Sequence, residues 1–110
     1  PPPILFAIVW PILYLLIAIS IYKISKIGFS KEYKYFLIAN YIFNQSFTFL
    51  FFNLKSIILG TLSSILSLIT AIFLFLETKK SNKKTSYLLI PYLIWLIFAS
   101  ILSISILFLN

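Results

Sequence analysis

The residues able to do chemistry in this chain are rings and amides set at helical spacing. Phe6, Trp10 and Tyr14 recur at i, i+4 and i+8. Asn40, Asn44, Phe47 and Phe51 recur at i, i+4, i+7 and i+11, with Gln45 beside them. Tyr92, Trp95, Ala99, Ser103, Ile106 and Asn110 fall along one side of a later segment. If the segments are helical, each set shares a face. Ring faces can stack on a flat apolar molecule while amides hold its polar edge. The same sets have plainer uses, because rings pack cores and amides join helices within a membrane. Ala99, one turn after Trp95, leaves space beside the indole, which makes either a cleft or an ordinary packing hole.

Other chemistries are missing. The 110 residues include no His, no Cys and no Met, so zinc sites, histidine-ligated haem, thiol nucleophiles and Ser–His–Asp triads are excluded. The two acids, Glu32 and Glu77, lie among lysines. No Asp, Glu, Lys or Arg falls inside an apolar run, which argues against a proton-coupled pump, a voltage sensor or a charged ion path. No catalytic residue and no metal ligand is expected, and no cofactor is required.

The elements that must position these faces follow from hydropathy. Hydrophobic residues make up 62% of the chain and charged ones 10%, too few charges to cover a water-soluble domain of this size. Uncharged runs at 4–22, 35–52, 57–76 and 87–109 alternate with short basic stretches. Such runs rise roughly 27–35 Å as helices, against a hydrocarbon core of about 30 Å. The expected fold is all-α: a polytopic transmembrane bundle of four helices forming one domain over 1–110, with the lipid bilayer as its surroundings.

The net charge of +7 sorts onto the connections. Stretches 23–34 and 77–86 carry four lysines each, and the turn at 53–56 carries Lys55 alone. An even helix count puts both rich loops on one side, and the positive-inside rule makes that side cytoplasmic. The charge then reports topology, and no nucleic-acid partner is expected. Gly60, Ser64, Ser67 and Ala71 form a small-residue row suited to close packing, within the bundle or at a dimer seam. Pro91 is expected to free the carbonyl of Tyr87 and bend the last helix at its entry. The Pro1-Pro2-Pro3 opening has no basic lead or cleavage motif and is not read as a signal peptide.

Several of these residues carry a resemblance. Pro1-Pro2-Pro3-Ile4-Leu5-Phe6 followed by Val9-Trp10 and Leu13-Tyr14 resembles a helix start in the tryptophan-rich sensory protein family, also called the translocator protein or peripheral-type benzodiazepine receptor family. Asn44, Phe47, Thr48 and Phe51-Phe52 resemble its third helix. Leu89-Ile90-Pro91-Tyr92-Leu93-Ile94-Trp95 with Phe98-Ala99 resembles its fifth, and Leu109-Asn110 its closing pair. The resemblance covers essentially the whole chain. It implies a five-helix fold of which four helices are present, the first and its capping loop being the expected omission. Phe47 stands where the family usually has Trp, Asn40 where many members have Gln, Ser103 in place of an Asn and Pro11 in place of a Thr.

The resemblance further implies a binding protein for tetrapyrroles such as porphyrin or haem-like molecules, or for sterol-like ligands, that forms a homodimer in a bacterial cell membrane. Its pocket would be lined by Trp10, Asn40, Asn44, Phe47, Phe51, Trp95 and Ala99, with Tyr14 and Tyr92 in support. Two alternatives stand beside it. One is photo-oxidative porphyrin breakdown through Trp10 or Trp95. The other is a ligand-free accessory protein associating through the small-residue row.

Overall fold

The computed structural model describes residues 3–109, without the side chains of Pro3, Phe51 and Phe52. It is helical throughout its described length, apart from short turns. Helix α1 runs Pro3–Ile27 and α2 runs Lys31–Thr48, passing into a π-helical turn at Phe49–Asn53. Helix α3 spans Ile57–Ser81. The one-turn α4, Lys83–Ser86, and a 3₁₀ turn at Tyr87–Leu89 lead into α5, Ile90–Leu109.

The basic stretches are helix ends rather than loops. The expected connections at 23–34 and 77–86 shrink to residues 28–30 and to the junction at Asn82. Lysine is a good helix former, and Lys26, Lys79 and Lys80 sit in last turns, where cations favour the negative end of the helix dipole. Turn chemistry then closes each connection. Gly28 has φ 118°, a left-handed conformation open to glycine, so α1 stops there. Ser30, Ser56 and Asn82 cap the next helices by accepting from the backbone N–H of Tyr33, Leu59 and Thr85. Burial beside the α1–α2 turn pushes the Tyr33 phenol up to about 12.

Pro91 acts at the entry of α5 as its chemistry requires. It has no N–H for the Tyr87 carbonyl, and the preceding N–H, on Ile90, takes that carbonyl instead. The result is the 3₁₀ turn at Tyr87–Leu89. Helix α1 continues through Pro11.

Small hydroxyl residues make α3 the centre. Gly60, Thr61, Ser63, Ser64, Ser67, Thr70 and Ala71 are buried, and α3 packs against both α2 and α5. Ser63 Oγ donates to the Phe43 carbonyl at 2.8 Å, and Ser64 and Ser100 share a hydrogen bond at 3.0 Å. The small-residue row is therefore consumed inside the bundle. By contrast α1 is held off by large rings, and it meets α4 and the 3₁₀ turn at its lysine end. One apolar cluster there joins Ile24, Tyr33, Leu74 and Leu89; a second, deeper one joins Leu13, Ala71, Tyr92 and Leu96.

Outward faces are apolar: Ile4, Ile8, Leu15, Ile58, Leu62, Ile94 and Ile101 are each more than half exposed. That arrangement suits lipid rather than water. Three segments are long and apolar enough to cross a membrane, Ile4–Ile27, Ile57–Ser81 and Lys83–Leu109. The expected fourth, 35–52, does not reach that standard. Its helix includes Lys31, Glu32 and Lys34 and carries Asn40, Asn44 and Gln45 in its body. It packs along α3 and leaves Tyr35, Ile38, Tyr41 and Ile42 exposed on its other side.

Candidate functional site

The stand-off of α1 leaves a cavity of about 300 Å³ between α1, α2 and α5. Phe6, Trp10 and Tyr14 form the α1 wall, three residues at i, i+4 and i+8. Asn44, Phe47 and Thr48 form the α2 wall. The α5 wall holds Trp95, Ala99, Leu102, Ser103 and Ile106.

The rings form a contiguous set. Phe6 meets Trp95 edge-on at 5.2 Å between centroids, and Trp10 meets Trp95 at 6.2 Å and 84°. Trp10 also stacks on Tyr14 at 5.3 Å and approaches Tyr92 at 6.5 Å. Edge-to-face pairs of this kind fix ring orientation, each contributing about 0.5–1.5 kcal/mol beyond burial. They hold the walls in place before any ligand enters. Ala99 supplies the space beside the Trp95 indole.

Polar groups divide into satisfied and unsatisfied. Asn40, expected in the pocket, turns toward α3. Its Nδ2 donates to the Ser67 carbonyl at 2.9 Å and to Thr70 Oγ1 at 3.2 Å. Its Oδ1 accepts from the Tyr92 hydroxyl at 2.9 Å. This clasp joins α2, α3 and α5, and neither Asn40 nor Tyr92 lines the cavity. Asn44, one turn on, lines the cavity, and its amide makes no hydrogen bond to another described residue. The Trp95 indole N–H is buried without an acceptor among the described residues. An unmade bond at a buried donor costs about 1–3 kcal/mol.

Of the expected pocket residues, Trp10, Tyr14, Asn44, Phe47, Trp95 and Ala99 come together around one space. The Phe51 side chain lies outside the described residues. Gln45 is exposed. Leu102 also lines the cavity, at i+7 from Trp95 and i+3 from Ala99, a spacing that the sequence carries without marking the residue by type. Ser103 and Ile106 were on the expected α5 face but had no assigned role. Among the described residues no group of His, Cys, Asp or Glu could hold a metal ion.

The model of the TspO/MBR family matches residues 1–109. The chain is 37% identical over 102 residues to "Uncharacterized membrane protein YtaB" of Bacillus subtilis, covering 90% of this chain and 66% of that protein. It is 37% identical over 105 residues to "Tryptophan-rich protein TspO" of Bacillus cereus, covering 94% and 69%. A protein of the same name from Archaeoglobus fulgidus is 36% identical over 112 residues, covering 100% of this chain and 72% of its own. The chain spans about two thirds of the length of these relatives.

Proposed function

The chain belongs to the TspO/MBR family, and from that premise we propose that it is a membrane-embedded binding protein for a flat, largely apolar ligand with polar edges, a tetrapyrrole above all. The observation that carries this reading is the pairing of an aromatic-walled cavity with the free Asn44 amide. Trp10, Phe47 and Trp95 offer π-faces, which favour a conjugated macrocycle over a saturated sterol ring system. The Asn44 amide would hold a carboxylate or pyrrole edge, and a small turn of the Trp95 ring would give its indole N–H an acceptor. A volume of about 300 Å³ is at the small end of ligand sites. A macrocycle would therefore enter edge-first and protrude through the open side. With no His, Cys or Met in the chain, the macrocycle would be held by its ring and substituents, not by imidazole, thiolate or thioether bonds to a metal.

Titration of the detergent-purified protein with protoporphyrin IX tests the proposal through fluorescence of Trp10 and Trp95. Saturable quenching is expected, with affinity weakened about tenfold in Trp95→Leu, about 1.4 kcal/mol of lost stacking. Absence of saturation, or an unchanged isotherm in that variant, overturns it. A second reading, photo-oxidation of the bound macrocycle, draws on the contact between Trp10 and Trp95, two oxidisable indoles 6.2 Å apart. Illumination in air should bleach porphyrin more slowly in Trp10→Phe and Trp95→Phe; wild-type rates in both remove that reading.

A further inference from the structure

At the lysine end, the seam between α1 and α4 opens into a cleft of about 550 Å³. Lys23 and Lys26 of α1 and Lys84 of α4 line it together with Tyr22, Asn82 and Leu88. Among the described residues no acidic one lines this cleft. Glu77 is engaged elsewhere, with Lys80 at 2.9 Å. Lys26 Nζ stands 5.0 Å above the Tyr22 ring, a cation–π contact that draws the ammonium onto the cleft wall. The Asn82 Oδ1 is occupied by the N–H and hydroxyl of Thr85, at 2.9 and 3.0 Å. Its Nδ2 makes no hydrogen bond to another described residue, so what Asn82 has left to offer is a donor. Three uncompensated ammoniums and a free amide N–H₂ all call for an anion with several acceptor oxygens.

The surroundings specify which kind of anion. Lys23 and Lys26 continue a line on α1 that runs Leu5, Val9, Ile12, Leu16, Ile19, Lys23, Lys26, with steps of four and three that keep one face. Leu16 and Ile19 are half-buried along it. From Lys23 to Ile12 the helix descends about 16 Å, close to the roughly 15 Å depth of one hydrocarbon leaflet. At Ile12 an apolar groove of about 570 Å³ begins between α1 and α5, bounded there by Pro91 and Ile94. A charged cleft and an apolar groove thus lie on one face of α1, with Ile19 and Leu16 on that face between them, over about the length of an acyl chain. We propose that the Lys23–Lys26–Lys84 cleft seats the phosphate of an anionic phospholipid, whose acyl chains lie along Ile19, Leu16 and Ile12. The charged cleft shares no lining residue with the aromatic cavity, which uses Phe6, Trp10 and Tyr14 on another face of α1, and the apolar groove meets that cavity at Trp95.

Native mass spectrometry of the detergent-solubilised full chain tests this, with phosphatidylglycerol and phosphatidylcholine of matched acyl chains. One phosphatidylglycerol should be retained per chain in preference to phosphatidylcholine. Each ammonium contributes about fivefold in affinity, so Lys23→Gln/Lys26→Gln/Lys84→Gln should lower that preference by about a hundredfold. Lys79→Gln/Lys80→Gln, which removes two lysines outside the cleft, should change it several-fold at most. Equal retention of the two lipids, or equal loss in the two variants, overturns the proposal. Displacement of phosphatidylglycerol by inorganic phosphate alone would also overturn it, since the cleft would then be a site for a soluble anion.

Discussion

The clasp between Asn40 and Tyr92 gives a prediction whose size can be worked from the structure. Tyr92→Phe removes one hydroxyl and its 2.9 Å bond while leaving the ring, which is 2% exposed, in place. Asn40 Oδ1 then loses its interhelical partner in a site sealed from water. A typical hydrogen bond is worth about 0.5–1.5 kcal/mol net, and measured side-chain couplings inside membrane proteins average about 0.6 with a maximum near 1.7. Asn40→Leu goes further. It deletes the bonds to Ser67 and Thr70 and orphans the Tyr92 hydroxyl, at about 1–3 kcal/mol. The double variant leaves neither partner stranded, so it should be more stable than the sum of the two single losses by about 0.6–1.7 kcal/mol. Reversible unfolding in mixed micelles with increasing denaturing detergent measures all four proteins. Porphyrin titration of the same set should show near wild-type affinity in Tyr92→Phe, because the lost bond lies outside the cavity. A coupling indistinguishable from zero refutes the clasp. Loss of ligand affinity without loss of stability would place these two residues in the binding site after all.

Asn44→Leu should behave in the opposite way: ligand affinity should fall several-fold while unfolding stability stays within about 0.5 kcal/mol, because no protein hydrogen bond is lost. Parallel titration and unfolding curves check this. Ser64→Leu should destabilise the monomer by about 1–3 kcal/mol, because the extra carbons must enter the α3–α5 contact where Ser64 meets Ser100. The molar mass of its detergent complex should not change if that row serves folding rather than association.

Much of the site was legible because periodicity is local. Phe6, Trp10 and Tyr14 share a face whatever the fold, and so do Trp95 and Ala99. What periodicity cannot say is which neighbour a face meets. Asn40 and Asn44 lie one turn apart and about 40° apart around the helix axis. That small rotation, together with one turn of depth, sends Asn40 to Thr70 and Tyr92 and leaves Asn44 at the cavity. Charge misled in a different way. Lysine-rich stretches read as loops because they must leave the hydrocarbon, yet leaving it does not require leaving the helix. Thus α1 reaches Ile27 and α3 reaches Ser81. The second segment reads as a member of the transmembrane bundle from its lack of charge over 35–52, and it is the least apolar of the four. Its amides lower its apolarity, and packing on α3 is what accommodates them.

The two kinds of polar residue in the bundle explain why a cavity exists at all. Thr61, Ser63, Ser64, Thr70 and Thr78 on α3 bond to carbonyls or to a short partner such as Ser100, and Ser67 packs with its hydroxyl unpaired among the described residues, so α2 and α5 can close tightly on that helix. Each bond is weak, but the small side chains remove the steric reason for the helices to stay apart. Helix α1 buries one small hydroxyl residue, Ser20, near its lysine end. At the cavity its inward residues are Phe6, Trp10 and Leu13, and ring-sized groups set the spacing to α5. Rigid rings on curved surfaces leave gaps that flexible side chains would fill, and the chain contains no Met to fill them. The cavity therefore follows from composition. A hydroxyl-rich α3 draws two helices in, a ring-faced α1 is held off, and Asn44 is left at the margin between them with its amide free. Replacing Asn44 removes a polar contact from that space, whereas replacing Asn40 loosens the frame that defines it.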